Sequence, residues 1–183
     1  MSDSNKAGIT IERAGQFFMR CLWLQGQMVD LLILRNFPEL VPKFVADPTK
    51  IPSVMVEKRA ESWEKDFVRV KKDFEDQFRD QMIPQHIEDL EIVFHLRNII
   101  GHSHVSIGRD YLLYRPSSSK KEQAVMAALG LQAKKNQATP TMMSLHFHDD
   151  ARYMHDYKRI TRLDEECFKA IAESLGVPHE QIR

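Results

Sequence analysis

The stretch Pro84-Gln85-His86-Ile87-Glu88-Asp89-Leu90-Glu91-Ile92-Val93-Phe94-His95-Leu96-Arg97-Asn98-Ile99-Ile100-Gly101-His102 decides how this chain is read. Pro84 suits the first turn of a helix, where its missing amide costs nothing. At roughly 100° per residue, Ile83, Ile87, Leu90 and Phe94 form one apolar line. Ile92, Val93, Leu96, Ile99 and Ile100 carry the apolar arc around most of the circumference. What is left is a narrow polar stripe of Glu88, Glu91, His95, Asn98 and His102. Such a helix is mostly buried, with one polar groove. Arg97 breaks the pattern, because it stands on the apolar line. A guanidinium cannot shed its charge, so there it needs an anion or a path to water. A substrate phosphate, a carboxylate of the chain, or snorkelling to solvent would each satisfy it.

Upstream of this helix, residues 10–35 carry Phe17, Phe18, Cys21, Leu22, Leu24, Met28, Val29, Leu31 and Leu32, too wide an apolar face for a surface helix. Thr10 is the expected N-cap and Glu12 favours the positive helix end. Pro38, Pro42, Pro48 and Pro52 predict an irregular connection. From Ser53, one continuous helix is expected, with Ala60, Trp63, Phe67, Val70, Phe74 and Phe78 forming a single stripe. Downstream, Val105-Ser106-Ile107, the turn Gly108-Arg109-Asp110 and residues 111–114 read as a β-hairpin. Residues 116–141, with their serine run, Gly130 and Pro140, read as a mobile insertion carrying one short helix at 123–131. A strand at 142–147 extends the hairpin. A last helix at 149–175 ends at Gly176 and Pro178. The fold class is mainly α, a helical bundle with a short β-hairpin after the third helix.

The whole chain, 183 residues with 43% hydrophobic, fits one domain over 1–183 that buries a core without disulfides or metal. Its 26 basic and 26 acidic side chains cancel, which argues against a protein that coats nucleic acid by bulk charge. The balance comes from segregated blocks. Residues 73–91 hold seven acidic groups against Arg79, whereas residues 97–121 hold Arg97, Arg109, Arg115, Lys120 and Lys121 against Asp110. A local basic patch of that kind can hold a phosphate backbone. Cys21 and Cys167 are isolated among apolar neighbours and read as buried free thiols, a pattern suited to a reducing, cytoplasmic setting. The polar first residues show no secretory signal, and Arg20, Gln25, Gln27 and Asp30 interrupt the one long apolar stretch, so no membrane span is expected.

The run Leu96-Arg97-Asn98-Ile99-Ile100-Gly101-His102 resembles the R-x4–6-H signature of the HEPN family (higher eukaryotes and prokaryotes nucleotide-binding), in which a polar residue often follows the Arg and the motif closes a long helix. The layout is also similar: two long helices before the motif, a hairpin-like segment after it, and a final helix. The resemblance implies a HEPN-like bundle and a cofactor-free, metal-independent endoribonuclease of the toxin or phage-defence type. It further implies a homodimer through the 84–102 helix, with an RNA substrate and an antitoxin or other regulatory protein as partners. In that reading His102 acts as base or acid on a ribose 2′-OH, giving a 2′,3′-cyclic phosphate. Arg97 stabilises the charge developing on the phosphate and Asn98 positions the network. Glu91, His95 and His104 support the site, while Arg109, Arg115, Lys120 and Lys121 contact the RNA backbone. Some toxin members carry R-x4-H-x-Y; His104 stands at the Tyr position here, against neutralisation by modification of that Tyr. The alternative is a non-catalytic all-α dimer that binds RNA, a nucleotide or a protein. A second rival comes from His102-x-His104 and His146-x-His148 with Asp149-Asp150, since alternate residues on a strand share a face and can hold a transition metal.

Overall fold

The computed structural model describes residues 3–47, 50–105, 109–129 and 142–183. In chain order the helices are α1 (Asp3–Asn36), α2 (Val41–Ala46), α3 (Ser53–Trp63), α4 (Phe67–Phe78), α5 (Pro84–Gly101), α6 (Ser119–Ala128), α7 (Asp150–Arg162), α8 (Lys169–Ser174) and α9 (His179–Ile182). The strands β1 (His104–Val105), β2 (Leu112–Tyr114) and β3 (Met143–Leu145) form one small antiparallel sheet with β2 in the middle. The protein is therefore mainly helical, as the periodicity predicts. The chain divides into two compact units, Met1–Cys21 with Glu91–Arg159, and Leu22–Leu90 with Ile160–Arg183.

In the first unit, β2 pairs with β3 so that Leu112 faces Leu145 and Tyr114 faces Met143. All four are buried while Leu113 and Ser144 turn away, the period-2 alternation of a sheet covered on one face. Phe17 and Phe147 stack at 5.8 Å, and Tyr153 meets Phe147 edge-on at 5.9 Å. Val93, Leu96 and Ile99 of α5 are fully buried, as its wide apolar arc requires. The expected hairpin is seen as the antiparallel pair β1 and β2, with Val105 opposite Leu112; residues 106 and 107 of its expected first strand and Gly108 of its expected turn lie outside the described residues. So does 130–141 of the expected insertion. Its helix, α6, begins at Ser119, because Ser118 caps it by accepting the Lys121 amide.

In the second unit, Phe74 packs against Phe78 and Phe168 at 5.0 and 5.1 Å. The single helix expected from Ser53 is two. Asp66 takes an extended conformation and its carboxylate accepts the Arg69 amide at 2.9 Å, starting α4 afresh. Phe67, Val70, Phe74 and Phe78 are buried as the stripe predicts, whereas Ala60 is exposed and Met55 is the buried anchor of α3. The proline-rich connection is also more regular than expected. A 3₁₀ turn at Pro38–Leu40 leads into α2, which buries Phe44. The last helix widens into a π segment at Leu163–Phe168, placing Asp164 inward beside Leu163, Cys167 and Phe168. Gly176, at φ +76°, then closes α8. Its amide bonds to Glu173 O and that of Val177 to Ala172 O, both at 3.0 Å.

Two expectations about α1 change. The helix begins well before Thr10, with Ala7 and Ala14 buried one above the other. Thr10 is not a cap: it is 1% exposed and its hydroxyl donates to the Asp110 carbonyl at 2.9 Å. By length and composition residues Asn5–Asn36 also reach what a membrane crossing needs, against the sequence reading. Within the fold 56% of that apolar window is buried, so much of its hydropathy is accounted for by core contacts.

Candidate functional site

The last turns of α5 carry the motif. Arg97 is half-buried; its guanidinium lies over the Phe18 ring at 5.3 Å and Nη1 donates to Asn98 Oδ1 at 3.1 Å. Phe18 reaches that position because residue 101 is glycine: a Cβ there would stand 3.2 Å from Phe18 Cε2. The room at Gly101 is thus taken by a ring of the same unit. One turn along α1, burial pushes the Cys21 thiol pKa up against the opposing charge of Arg97. Cys21 is an inert core thiol, as its neighbours predict.

His102 is exposed just past Gly101, its amide bonded to Asn98 O at 3.1 Å and to Ile99 O at 3.3 Å. Its imidazole has no hydrogen-bond partner among the described residues, so both ring nitrogens are open to a ligand. Glu91 and His95 do meet, with Oε1 and Nε2 2.9 Å apart. His95 is only 8% exposed, so it is no part of an open groove. The polar stripe is exposed at its two ends, Glu88 and His102, and closed at His95 between them. His104 is exposed on β1. Arg115, Lys120 and Lys121 are exposed, and Arg109 lies over Tyr111 at 5.7 Å while donating to its hydroxyl at 2.6 Å. The structure thus joins Arg97 to Asn98 and Glu91 to His95, and leaves His102 open to solvent.

No protein-family model, curated protein or solved structure matches this chain. Function must come from the side chains themselves.

A second polar cluster lies where β2 and β3 begin and end. Continuing their register past Leu112–Leu145 sets Tyr111 against His146 and Asp110 between His146 and His148. The rings of Tyr111 and His146 are indeed 5.5 Å apart. One ligand atom each from Asp110, His146 and His148 falls within 4.8 Å of the others. The two histidines are those of the His146-x-His148 spacing, but the carboxylate beside them is Asp110 and not Asp149 or Asp150. Asp149 caps α7, accepting the Ala151 and Arg152 amides at 3.0 and 3.2 Å, and Asp150 is held by Arg13 at 2.5 Å. Asp110 is found only by adding strand register to the His-x-His spacing. His102 and His104 gather no third donor of this kind among the described residues.

Proposed function

We propose that this protein is a HEPN-like, metal-independent endoribonuclease of the toxin or phage-defence type, acting in the cytoplasm as a homodimer. The observation that carries the reading is the Arg97–Asn98 hydrogen bond at the end of α5, with an open His102 one step beyond it. Asn98 fixes the heading of the half-buried guanidinium, whose fork of N–H groups matches the oxygens of a phosphate. Pairing two copies through the 84–102 helix brings two such sets to one cleft. Phe94 and Arg97 are half-buried on one side of α5, which suits that pairing.

In this mechanism one His102 takes the proton from a ribose 2′-OH as the oxygen attacks the adjacent phosphorus. The P–O5′ bond breaks, and the departing oxygen receives a proton from the second His102 in its imidazolium form. Products are a 2′,3′-cyclic phosphate and a 5′-OH end. Arg97 stabilises the charge on the non-bridging oxygens as it builds. Arg115, Lys120 and Lys121 supply the backbone contacts. The test is incubation of total RNA with wild type, His102→Ala and Arg97→Ala in EDTA. Cleavage by wild type that both substitutions abolish is the expected result. Equal cleavage by all three removes these residues from the mechanism; no cleavage by any leaves the non-catalytic RNA- or protein-binding dimer as the better reading.

A further inference from the structure

The Asp110–His146–His148 cluster has a feature that an ordinary surface polar group lacks. Nδ1 of His148 lies 3.0 Å from the Asp110 carbonyl oxygen, which can only accept, so Nδ1 carries the proton. In the neutral ring that leaves the lone pair on Nε2, and Nε2 faces Asp110 Oδ2 at 3.7 Å. A lone pair and a carboxylate facing each other call for a cation between them. A proton on His148 would serve that pair alone. It would not account for His146, whose ligand atom completes a triangle within 4.8 Å.

The surroundings are those of a ligand set fixed from behind. The carbonyl that accepts the hydrogen bond from His148 Nδ1 also accepts one from the Thr10 hydroxyl at 2.9 Å, and Thr10 Oγ1 in turn accepts the His148 amide at 3.2 Å. Thr10 is 1% exposed, so a buried hydroxyl on α1 locks both the backbone of Asp110 and that of His148. Metal-bound histidines characteristically give their second ring nitrogen to a backbone carbonyl in this way. Ser144 Oγ lies 3.2 Å from Nε2 of His146, which engages one ring nitrogen and leaves the other as a donor.

We infer that Asp110, His146 and His148 bind one divalent transition ion of the zinc class, with a fourth position open to water. Two imidazoles and a carboxylate suit a borderline ion better than calcium or magnesium, which take oxygen sets. A tetrahedral ion with bonds of about 2.0–2.2 Å holds its donors roughly 3.3 Å apart. Oδ2 and Nε2 are near that already, and His146, being exposed, has the freedom to close in. Of the three ligands, His146 also lines a cavity of about 300 Å³, together with Ser144, Phe147 and Arg152. This site is separate from Arg97 and His102 and rests on no part of the nuclease reading.

The experiment is titration of the untagged, chelator-stripped full chain with zinc sulfate by calorimetry, with cobalt(II) absorption as the second readout. Wild type, His102→Ala and His155→Ala should each bind one ion per chain and give the intense visible bands of a four-coordinate cobalt centre. His146→Ala and Asp110→Asn should lose more than about tenfold in affinity, and Thr10→Val about tenfold by freeing the ligands. Thermal melting of the metal-free proteins establishes that each variant is folded; His146 is exposed, so its replacement leaves the fold intact. Magnesium should not compete. No stoichiometric zinc in wild type overturns the inference, as does a bound ion that survives both His146→Ala and Asp110→Asn.

Discussion

Two buried carboxylates of the second unit and two polar sites of the first are handled in opposite ways. Those of the second unit, Asp89 and Asp164, are closed off. Asp89, 0% exposed, receives Arg162 in a two-pronged bond at 2.6 and 3.0 Å. Asp164 takes Gln27 at 3.1 Å, His179 at 3.0 Å and Arg183 at 3.1 Å. Those carboxylates have their partners already, and what they do is hold chain segments together. In the first unit, His102 makes no side-chain bond among the described residues and the Asp110–His148 pair faces across a gap. Polar groups left with donors or acceptors to spare are the ones able to take a ligand. The first set holds the fold together; the second is the set on which the proposed chemistry is to be tested.

Four substitutions would break or sharpen that contrast. His102→Ala is expected to have the largest effect, lowering RNA cleavage by about 10²–10⁴-fold, the usual worth of a general acid or base. Because the side chain is exposed, its unfolding free energy should move by no more than about 0.5 kcal/mol in urea. A large loss of stability would make His102 a structural residue.

Arg162→Ala should do the reverse. It leaves the buried Asp89 carboxylate without its guanidinium, at a cost of about 3–5 kcal/mol by chemical denaturation, while cleavage per folded molecule stays unchanged. A smaller loss would show water reaching Asp89.

Asp30→Asn concerns the acid range. Burial raises the Asp30 pKa despite the two Arg59 bonds at 2.7 Å. The folded chain therefore holds that proton to higher pH than the unfolded chain does, and this contribution to stability is lost as pH rises through the raised value. Urea unfolding across the acid range should show a more positive slope of stability against pH for Asp30→Asn than for wild type, because the substitution removes that decline. Identical slopes would mean Asp30 titrates as it does in water.

Gly101→Ala is expected to do least to stability. Alanine favours the helix by up to about 1 kcal/mol, and the 3.2 Å approach to Phe18 opposes it. The net change should stay within about 1 kcal/mol, with cleavage falling because the ring beneath Arg97 moves. Unchanged cleavage would separate Phe18 from the setting of Arg97.

Much of the fold was legible. The arc around α5, the stripe of α4, the hairpin strands and the Gly176 stop all come from neighbours three, four or two residues apart, which is what sequence periodicity records. The reading failed where a polar side chain chose between a local and a distant use. Thr10 has the chemistry of a cap but serves Asp110, a hundred residues on. Asp66, unremarked in the sequence, caps α4 and divides an expected continuous stripe. At the candidate site, Arg97, Asn98 and His102 were marked by their positions on one helix. Asp110 was not, because its neighbours arrive by strand pairing.

The sequence by itself determined the helices, their buried faces and the anomaly of Arg97 on an apolar line, since these follow from residue type and the turn of a helix. Only the tertiary structure decided which charges are satisfied and which stand open. Asp89 and Arg162 are 73 residues apart, and Asp110 and His148 are 38 apart. Their encounters depend on packing and register over distances that no local pattern encodes.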